Sequence, residues 1–162
     1  GARPELMAVS VPSNPDIAPQ PLSTDPTRLG WCSGNYPVTN GNNPLGQSDG
    51  PFVDGYGSTS NTTLGLSETQ GVSNSVSASY GMDAQVISAE VGFSVSQSYN
   101  VGYSYSIQVP QGETWRIQAY NRFNGTGFDV WDDDCGDAAD TYISSETAWE
   151  YSHPYYTAWK LY

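Results

Sequence analysis

Large apolar and small polar residues alternate with a period of two from Val91 to Val109, a stretch that reads VGFSVSQSYNVGYSYSIQV. The odd positions carry almost all of the aliphatic and aromatic side chains, whereas the even positions carry mainly serine, glycine and asparagine. Successive side chains of a β-strand point to opposite faces, so this pattern is typical of a strand with one buried face. Because strands usually have about 5–6 residues, the pattern predicts one unusually long strand or two collinear strands.

The preceding stretch from Gly71 to Met82 alternates in the opposite phase, with its apolar residues at even positions. Residues 81–90 (GMDAQVISAE) interrupt the alternation before the long strand begins. Two amphipathic strands that flank a short connection predict an antiparallel hairpin.

Further strands are predicted from Trp115 to Ala119 and from Phe128 to Trp131, with a turn between them at residues 124–127 (NGTG). The segment from Thr141 to Tyr162 is rich in tyrosine and tryptophan, and these side chains are expected to pack on the sheet. No helical pattern alternates with the strands, so the predicted class is all-β, an antiparallel β-sandwich with long twisted strands.

Residues 1–30 contain six prolines, a density that disfavours helices and central strands. We therefore expect two parts, an extended arm over residues 1–30 and a sandwich domain over residues 31–162. Such a composition is also common in disordered linkers. Met7, Val9 and Val11 alternate with their neighbours, and this patch is expected to add a strand to the sheet of a neighbouring subunit; the alternative is that the arm lies against its own domain.

The formal net charge of −12, with only five lysine and arginine residues in 162, disfavours binding to nucleic acids. An acidic, lysine-poor surface that is rich in serine, threonine, asparagine and glycine favours an extracellular protein. The chain starts at Gly1 without an initiator methionine, as expected of a processed form. Under this interpretation Cys32 and Cys135 form one disulfide, and the alternative is two buried thiols.

An acidic run in residues 129–140 offers candidate calcium ligands, because Ca²⁺ takes six to eight oxygen ligands. The four candidates are Asp132, Asp133, Asp134 and Asp137. Their spacing does not match an EF-hand loop, and the simpler interpretation is a solvated acidic loop. No other cofactor is expected.

The sequence contains no clear catalytic constellation. His153 is the only histidine, and no nucleophile-elbow motif is present. Paired carboxylates for glycoside hydrolysis remain open as an alternative, since acidic residues are abundant. We therefore expect a protein that is not an enzyme.

The segment from about Thr63 to Trp131 resembles the pore-forming module of aerolysin-type β-pore-forming toxins. The likeness lies in the serine-rich strands GVSNSVSASY and VGFSVSQSYNVGYSYSIQV, in the turn of QVPQGETWRIQAY and in FDVW. The resemblance implies long sheet strands and an amphipathic hairpin that enters a membrane after oligomerisation. The serine, glycine and tyrosine content also resembles small secreted bacterial β-sandwich proteins that act as adaptor or fibre subunits.

Three functions are therefore compared. The first is a secreted structural subunit whose arm docks, as a donor strand, on a copy of itself or on another secreted protein to build a filament or particle. The second is an aerolysin-like pore-forming protein that acts on membranes. Its membrane or partner face would comprise Phe93, Val95, Tyr99, Val101, Tyr103 and Tyr105. The third is a carbohydrate-binding module that uses the C-terminal aromatics.

Overall fold

The computed structural model describes residues 3–20, 34–59, 62–133 and 139–162. In chain order the elements are β1 (Glu5–Ser10), β2 (Asp16–Pro19), β3 (Asn35–Thr39), β4 (Leu45–Tyr56), β5 (Thr62–Ser73), β6 (Ser75–Val76), α1 (Ala84–Val91), β7 (Ser98–Val109), β8 (Thr114–Asp132) and β9 (Thr141–Lys160). Both sheets are antiparallel and pack in a sandwich-like arrangement, which confirms the predicted fold class. No helix in these ranges is long and apolar enough to cross a bilayer.

Sheet A is built on the long hairpin of β8 and β9. Strands β3 and β4 pair with the outer edge of β8, and β1 and β6 pair with the outer edge of β9. Sheet B has the order β2-β7-β5. Pro154 is tolerated inside β9 because it lies between the partners of β1 (156–160) and β6 (148–149), where the outer edge of β9 has no partner in the described ranges.

The turn predicted at residues 124–127 is wrong, because β8 runs through it without a break. Gly125 and Gly127 serve a different purpose. A Cβ atom at either glycine would lie 2.7 Å from a backbone oxygen of the crossing loop, Pro44 for the first and Asn42 for the second. These two glycines therefore permit a close backbone approach.

Strands β5 and β7 form an antiparallel hairpin over twelve residues each, but it differs from the predicted one: only residues 71–73 of the first predicted strand lie in β5, and the connection is residues 74–97 instead of 81–90. The predicted strand from Val91 to Gln97 is wrong, since Val91 ends α1 and the following residues form turns before β7 starts at Ser98. Likewise, the first predicted strand continues beyond β5 only as the two-residue β6. The alternating side chains of residues 91–97 pack into a second core instead of a sheet.

Two hydrophobic clusters lie on opposite faces of the β8–β9 hairpin. In the first half of β8 the buried hydrophobic residues are Ile117 and Ala119, at odd positions, and in the second half they are Phe128 and Val130, at even positions. The extra residues at both irregularities in the β8–β9 pairing belong to β9, so the alternation along β8 is unbroken. Sheet B covers the first half on one face, and residues 74–97 cover the second half on the other.

The described part of the N-terminal arm folds onto its own chain. Strand β1 pairs with the C-terminal end of β9, and β2 pairs with β7 between Tyr99 and Gly102. The arm thereby supplies one strand to each sheet. Residues 21–30 lie outside the described ranges, as do Cys32 and Cys135, so the predicted disulfide stays a prediction.

Candidate functional site

The region with the most unusual structure is the covering segment, which we define as residues 74–97 between β5 and β7. It leaves β5 through Asn74, adds β6 to the edge of β9 and then forms α1. Tyr80 and Gly81 both have positive φ angles of 49° and 77°, and Gly92 ends the helix with φ 90°. Positive φ is strained for a tyrosine, so the reversal at Tyr80 stores a local conformational cost.

Helix α1 is weakly encoded by its own sequence. It has eight residues, no side-chain hydrogen bond at its N-cap Asp83 and no acidic residue in its first turn. Isolated helices of this length are unstable in water. Its one buried residue, Ile87, packs with Met82 and Val95 from the covering segment against Phe128, Val130 and Ala148 of sheet A. Tertiary packing, rather than local propensity, therefore keeps this segment helical.

Asn74 connects the two ends of the covering segment to sheet A. This buried side chain donates from Nδ2 to the Ser94 carbonyl oxygen at 2.9 Å, and its Oδ1 accepts the Tyr151 backbone N–H at 2.7 Å. Its backbone N–H also donates to the Gln97 carbonyl oxygen at 2.8 Å. These hydrogen bonds join the first residue of the covering segment to its last residues and to β9.

Two carboxylates hold the rest of the covering segment. Glu146 of β9 accepts a hydrogen bond from the Ser77 hydroxyl, and this bond is the main cause that holds the pKa of Glu146 below its ordinary value. Glu90 of α1 accepts the backbone N–H of Thr39 at 2.9 Å and its hydroxyl at 3.3 Å. These contacts are at the surface, so they orient the segment more than they stabilise it.

The sequence of the covering segment also fits a different structure. Each β5–β7 pair has residue numbers that add up to 171, from Thr62 with Val109 to Ser73 with Ser98. The Asn74 to Gln97 hydrogen bond carries the same register one step further. Continued into the covering segment, this register pairs apolar residues with one another on one face: Val76 with Val95, Ala78 with Phe93, Tyr80 with Val91 and Met82 with Ala89.

The other face of the continued register is polar. Ser75 would pair with Ser96, Ser77 with Ser94 and Ser79 with Gly92, in phase with the serine-rich outer face of β5 and β7. Residues 74–82 and 91–97 carry no charged side chain, and the nearest charges are Asp83 and Glu90. Beyond the Asn74–Gln97 pair, the extended hairpin would therefore have one apolar face and one polar face as far as Met82 and Ala89.

The predicted membrane or partner face lies inside the molecule in this structure. Val101 and Tyr103 are fully buried in the core between the sheets, with Tyr99 and Tyr105 packed at its margin. The other two members of that face, Phe93 and Val95, belong to the cluster under the covering segment. The Tyr103 hydroxyl donates to Asn121 Oδ1 at 2.7 Å, and burial raises the pKa of this tyrosine.

The predicted docking arm is exposed on its own sheet. Met7, Val9 and Val11 are 44%, 58% and 60% exposed. Met7 lies at an irregularity in the pairing of β1 with β9. Large apolar side chains are thus available for contacts on this edge, although the strand itself is already paired.

The predicted calcium ligands are only partly described. Asp132 ends β8 opposite Thr141, and the backbone N–H of Asp133 donates to the Gly34 carbonyl oxygen at 2.8 Å. Asp134 and Asp137 lie outside the described ranges. Among the residues that are described, no three acidic, histidine or cysteine side chains are grouped to hold a metal.

The outer face of sheet A carries an aromatic and cationic surface that combines C-terminal aromatics with side chains of β8, a combination that the sequence patterns did not reveal. The register places Arg116 opposite Trp159, Tyr120 opposite Tyr155, and Arg122 opposite His153. The Tyr120 and Tyr155 rings stack with centroids 5.0 Å apart. In the sequence these residues lie within two separate segments, so only the β8–β9 register brings them together.

Comparisons with protein-family models, curated proteins and solved structures found no match for this chain.

Proposed function

We propose that this protein is a secreted, non-enzymatic membrane-inserting protein of the pore-forming kind. In this proposal the covering segment leaves sheet A and extends the β5–β7 hairpin in its existing register. The observation that carries the proposal is the β5–β7 register together with the sequence beyond it: if the register continued, apolar residues from Val76 onwards would lie on one face and serines on the other.

The length of the extended hairpin supports this function. Continued pairing would add the residues from Asn74 to Met82 and from Ala89 to Gln97, nine residues on each side. A transmembrane β-strand needs about 9–11 residues. Such strands alternate apolar side chains that face lipid with polar side chains that face water. The Asp83 carboxylate would then lie in the connection at the tip, whereas Glu90 would pair with Gly81 on the polar face, one step before the end of the added strands.

Release of the covering segment from sheet A has both a free-energy cost and a free-energy gain. Release of the covering segment exposes Ile87 and its neighbours in the second cluster. In return, a continuous hairpin removes the positive φ at Tyr80 and gives backbone partners to a segment whose helix is short. A lipid phase would then cover the apolar face, so the exchange is favourable at a membrane and unfavourable in water.

The experiment locks the covering segment with a disulfide. Val76 and Ala148 are direct partners in the β6–β9 pairing, and such partners lie within disulfide range. The double variant Val76→Cys with Ala148→Cys is added to calcein-loaded liposomes made from a total cellular lipid extract. We expect no release when it is oxidised and recovered release after reduction.

The matched control is Gly65→Cys with Ser106→Cys, a disulfide on the exposed face of the β5–β7 hairpin. This bond leaves the covering segment free and keeps a pairing that the inserted form also uses. It is expected to release calcein both oxidised and reduced, which also controls for reduction of the native cysteines. Equal release by the oxidised V76C/A148C protein would refute the proposal.

Assembly through the arm is a second candidate, favoured by the exposed apolar residues of β1. In this form the β1–β9 pairing would be made between copies, so that each arm completes the sheet of the next subunit. Because one arm strand pairs in each sheet, an exchanged arm would join both sheets of its neighbour.

This candidate is tested with Val9→Cys and Thr157→Cys, which are direct partners in the β1–β9 pairing. The oxidised protein keeps its arm on its own chain. Light scattering and negative-stain microscopy are expected to show assemblies only before oxidation or after reduction. Filaments or particles that persist in the oxidised protein would exclude arm exchange as their cause.

A further inference from the structure

An open cleft of about 250 Å³ lies on the outer face of sheet A, at the end of the β8–β9 hairpin near the arm. It is lined by Pro4, Arg116, Gln118, Tyr120, Trp159 and Leu161. We propose that this cleft binds one neutral pyranose ring, such as a hexose unit of a cell-surface glycan. The site is separate from the covering segment and does not depend on membrane insertion.

The two aromatic walls are held in place by their neighbours. The Trp159 indole N–H donates to the Thr157 hydroxyl at 2.6 Å, and the Tyr120 ring stacks on Tyr155. Binding sites for small ligands are typically concave, with aromatic walls and a few polar groups that set orientation. The C–H face of a pyranose ring is an apolar surface that stacks on such walls, while its hydroxyls need hydrogen-bond partners at the edges.

The polar groups between the walls fit sugar hydroxyls. The amide of Gln118 donates to the Gly50 and Ala119 carbonyl oxygens at 2.9 and 2.8 Å, which fixes this side chain. The side-chain oxygen Oε1 of Gln118 has no hydrogen-bond donor within the described part of the chain. Arg116 uses two nitrogens to bind Asp54, and a guanidinium has five N–H donors, so further donors are available to a ligand.

The charge balance favours a neutral sugar. Arg116 forms a bidentate ion pair with Asp54, with N–O distances of 2.6 and 2.9 Å, so its charge is already compensated. The chain as a whole carries −12 and would repel a sialylated or sulfated glycan. The cleft is also smaller than the usual range of about 300–1,000 Å³, which favours a single ring over an extended ligand.

The N-terminal arm forms part of this site. Pro4 directly precedes β1, and β1 is held against Trp159 and Lys160 by its pairing with β9. The arm therefore completes the cleft only when it is paired with β9. This gives the ordered arm a binding role in addition to its contribution to sheet A.

The test is saturation-transfer difference NMR on the whole protein with methyl glucopyranoside, methyl galactopyranoside and methyl mannopyranoside, in both anomers. At least one neutral glycoside is expected to bind with a millimolar dissociation constant. Trp159→Leu and Tyr120→Leu are each expected to weaken binding by about tenfold or more, as truncation of an aromatic anchor does. Trp159→Phe keeps an aromatic wall and is expected to retain most of the affinity.

The matched control is Tyr142→Leu, which removes an exposed tyrosine that contacts Trp131 near the other end of the same hairpin. It is expected to bind as the wild type does, and circular dichroism checks that all variants are folded. Two results would each overturn the proposal: no saturation transfer to any of the six glycosides, or binding that is unchanged in both leucine variants.

Discussion

Replacement of Asn74 by alanine is predicted to loosen the covering segment more than any substitution at its surface. The variant loses two short side-chain hydrogen bonds, to the Ser94 carbonyl and from the Tyr151 N–H. Each bond contributes roughly 1 kcal/mol, and an unsatisfied buried N–H adds a penalty of about 1–3 kcal/mol. The total is about 3–5 kcal/mol, which corresponds to a roughly 140- to 3,700-fold increase in the population of the open segment.

Hydrogen exchange followed by mass spectrometry measures this effect locally. Peptides from residues 74–97 are expected to exchange faster in Asn74→Ala, while peptides from β5 and β7 keep their protection. The control is Ser73→Ala, which removes an exposed hydroxyl 3.0 Å from the Ser98 hydroxyl and is expected to change stability by less than about 0.5 kcal/mol.

The variant Asn74→Asp separates hydrogen bonding from packing. A carboxylate accepts the Tyr151 N–H but has no proton for the Ser94 carbonyl, and its burial raises its pKa in the folded state. Its destabilisation is therefore expected at neutral pH and is relieved as the pH falls through the raised folded-state pKa. The account is refuted if Asn74→Ala exchanges at the same rate as Ser73→Ala.

Three further predictions concern the second hydrophobic cluster, two glycines and the hydrogen bond from Ser77 to Glu146. Ile87→Ala is expected to cost about 2–5 kcal/mol in urea unfolding, since Ile87 is fully buried beneath the covering segment; a loss below 1 kcal/mol would mean that the second cluster is not packed as described. Gly125→Ala is expected to lower the melting temperature through overpacking, whereas Gly65→Ala, with open space at its Cβ, is expected to leave it unchanged or raise it. Because the Ser77 bond lowers the pKa of Glu146, its contribution is present above the unfolded pKa of about 4.5 and is lost as the pH falls through the lower folded pKa; the wild type is thus expected to lose melting temperature in this range more steeply than Glu146→Gln, and parallel curves would contradict this.

The alternation in the sequence was sufficient to predict the all-β class and the strand over residues 98–109, but not the pairing of that strand with residues 62–70 of β5. It failed at residues 91–97, because a period of two shows only that a segment can form a strand. Here the tertiary contacts of Val95 and Ile87 outweigh that preference in water. This difference is informative, because the alternating residues 91–97 would pair with residues 74–80 if the β5–β7 register continued into them.

Glycine was the second source of error. The NGTG sequence at residues 124–127 has the composition of a turn, but its two glycines make room for the loop at residues 40–44 that crosses β8. A sequence pattern cannot distinguish a glycine that turns the chain from one that permits a close approach. As a result, β8 was predicted as two short strands instead of one of nineteen residues.

The cleft could not be predicted because its walls are distant in sequence. Tyr120 and Trp159 come from different strands, and their placement depends on an irregularity between Arg122 and Phe123 in the β8–β9 pairing. An irregularity of this kind moves all the following residues of β9 by one register step. The C-terminal aromatics were expected to pack on the sheet, but which of them face outwards was decided by this step.

The most direct test of the central claim follows the environment of single side chains in the covering segment during membrane binding. A fluorescent label sensitive to polarity is placed on single cysteines at Val76, Ser77, Ala78 and Ser79, in a background with Cys32 and Cys135 replaced by serine that retains calcein release. On liposomes, labels at Val76 and Ala78 are predicted to shift to the blue and to be quenched by lipid-borne quenchers, while labels at Ser77 and Ser79 stay accessible to aqueous iodide. Labels that all remain in water, or that change without a period of two, would contradict insertion as a continued β-hairpin.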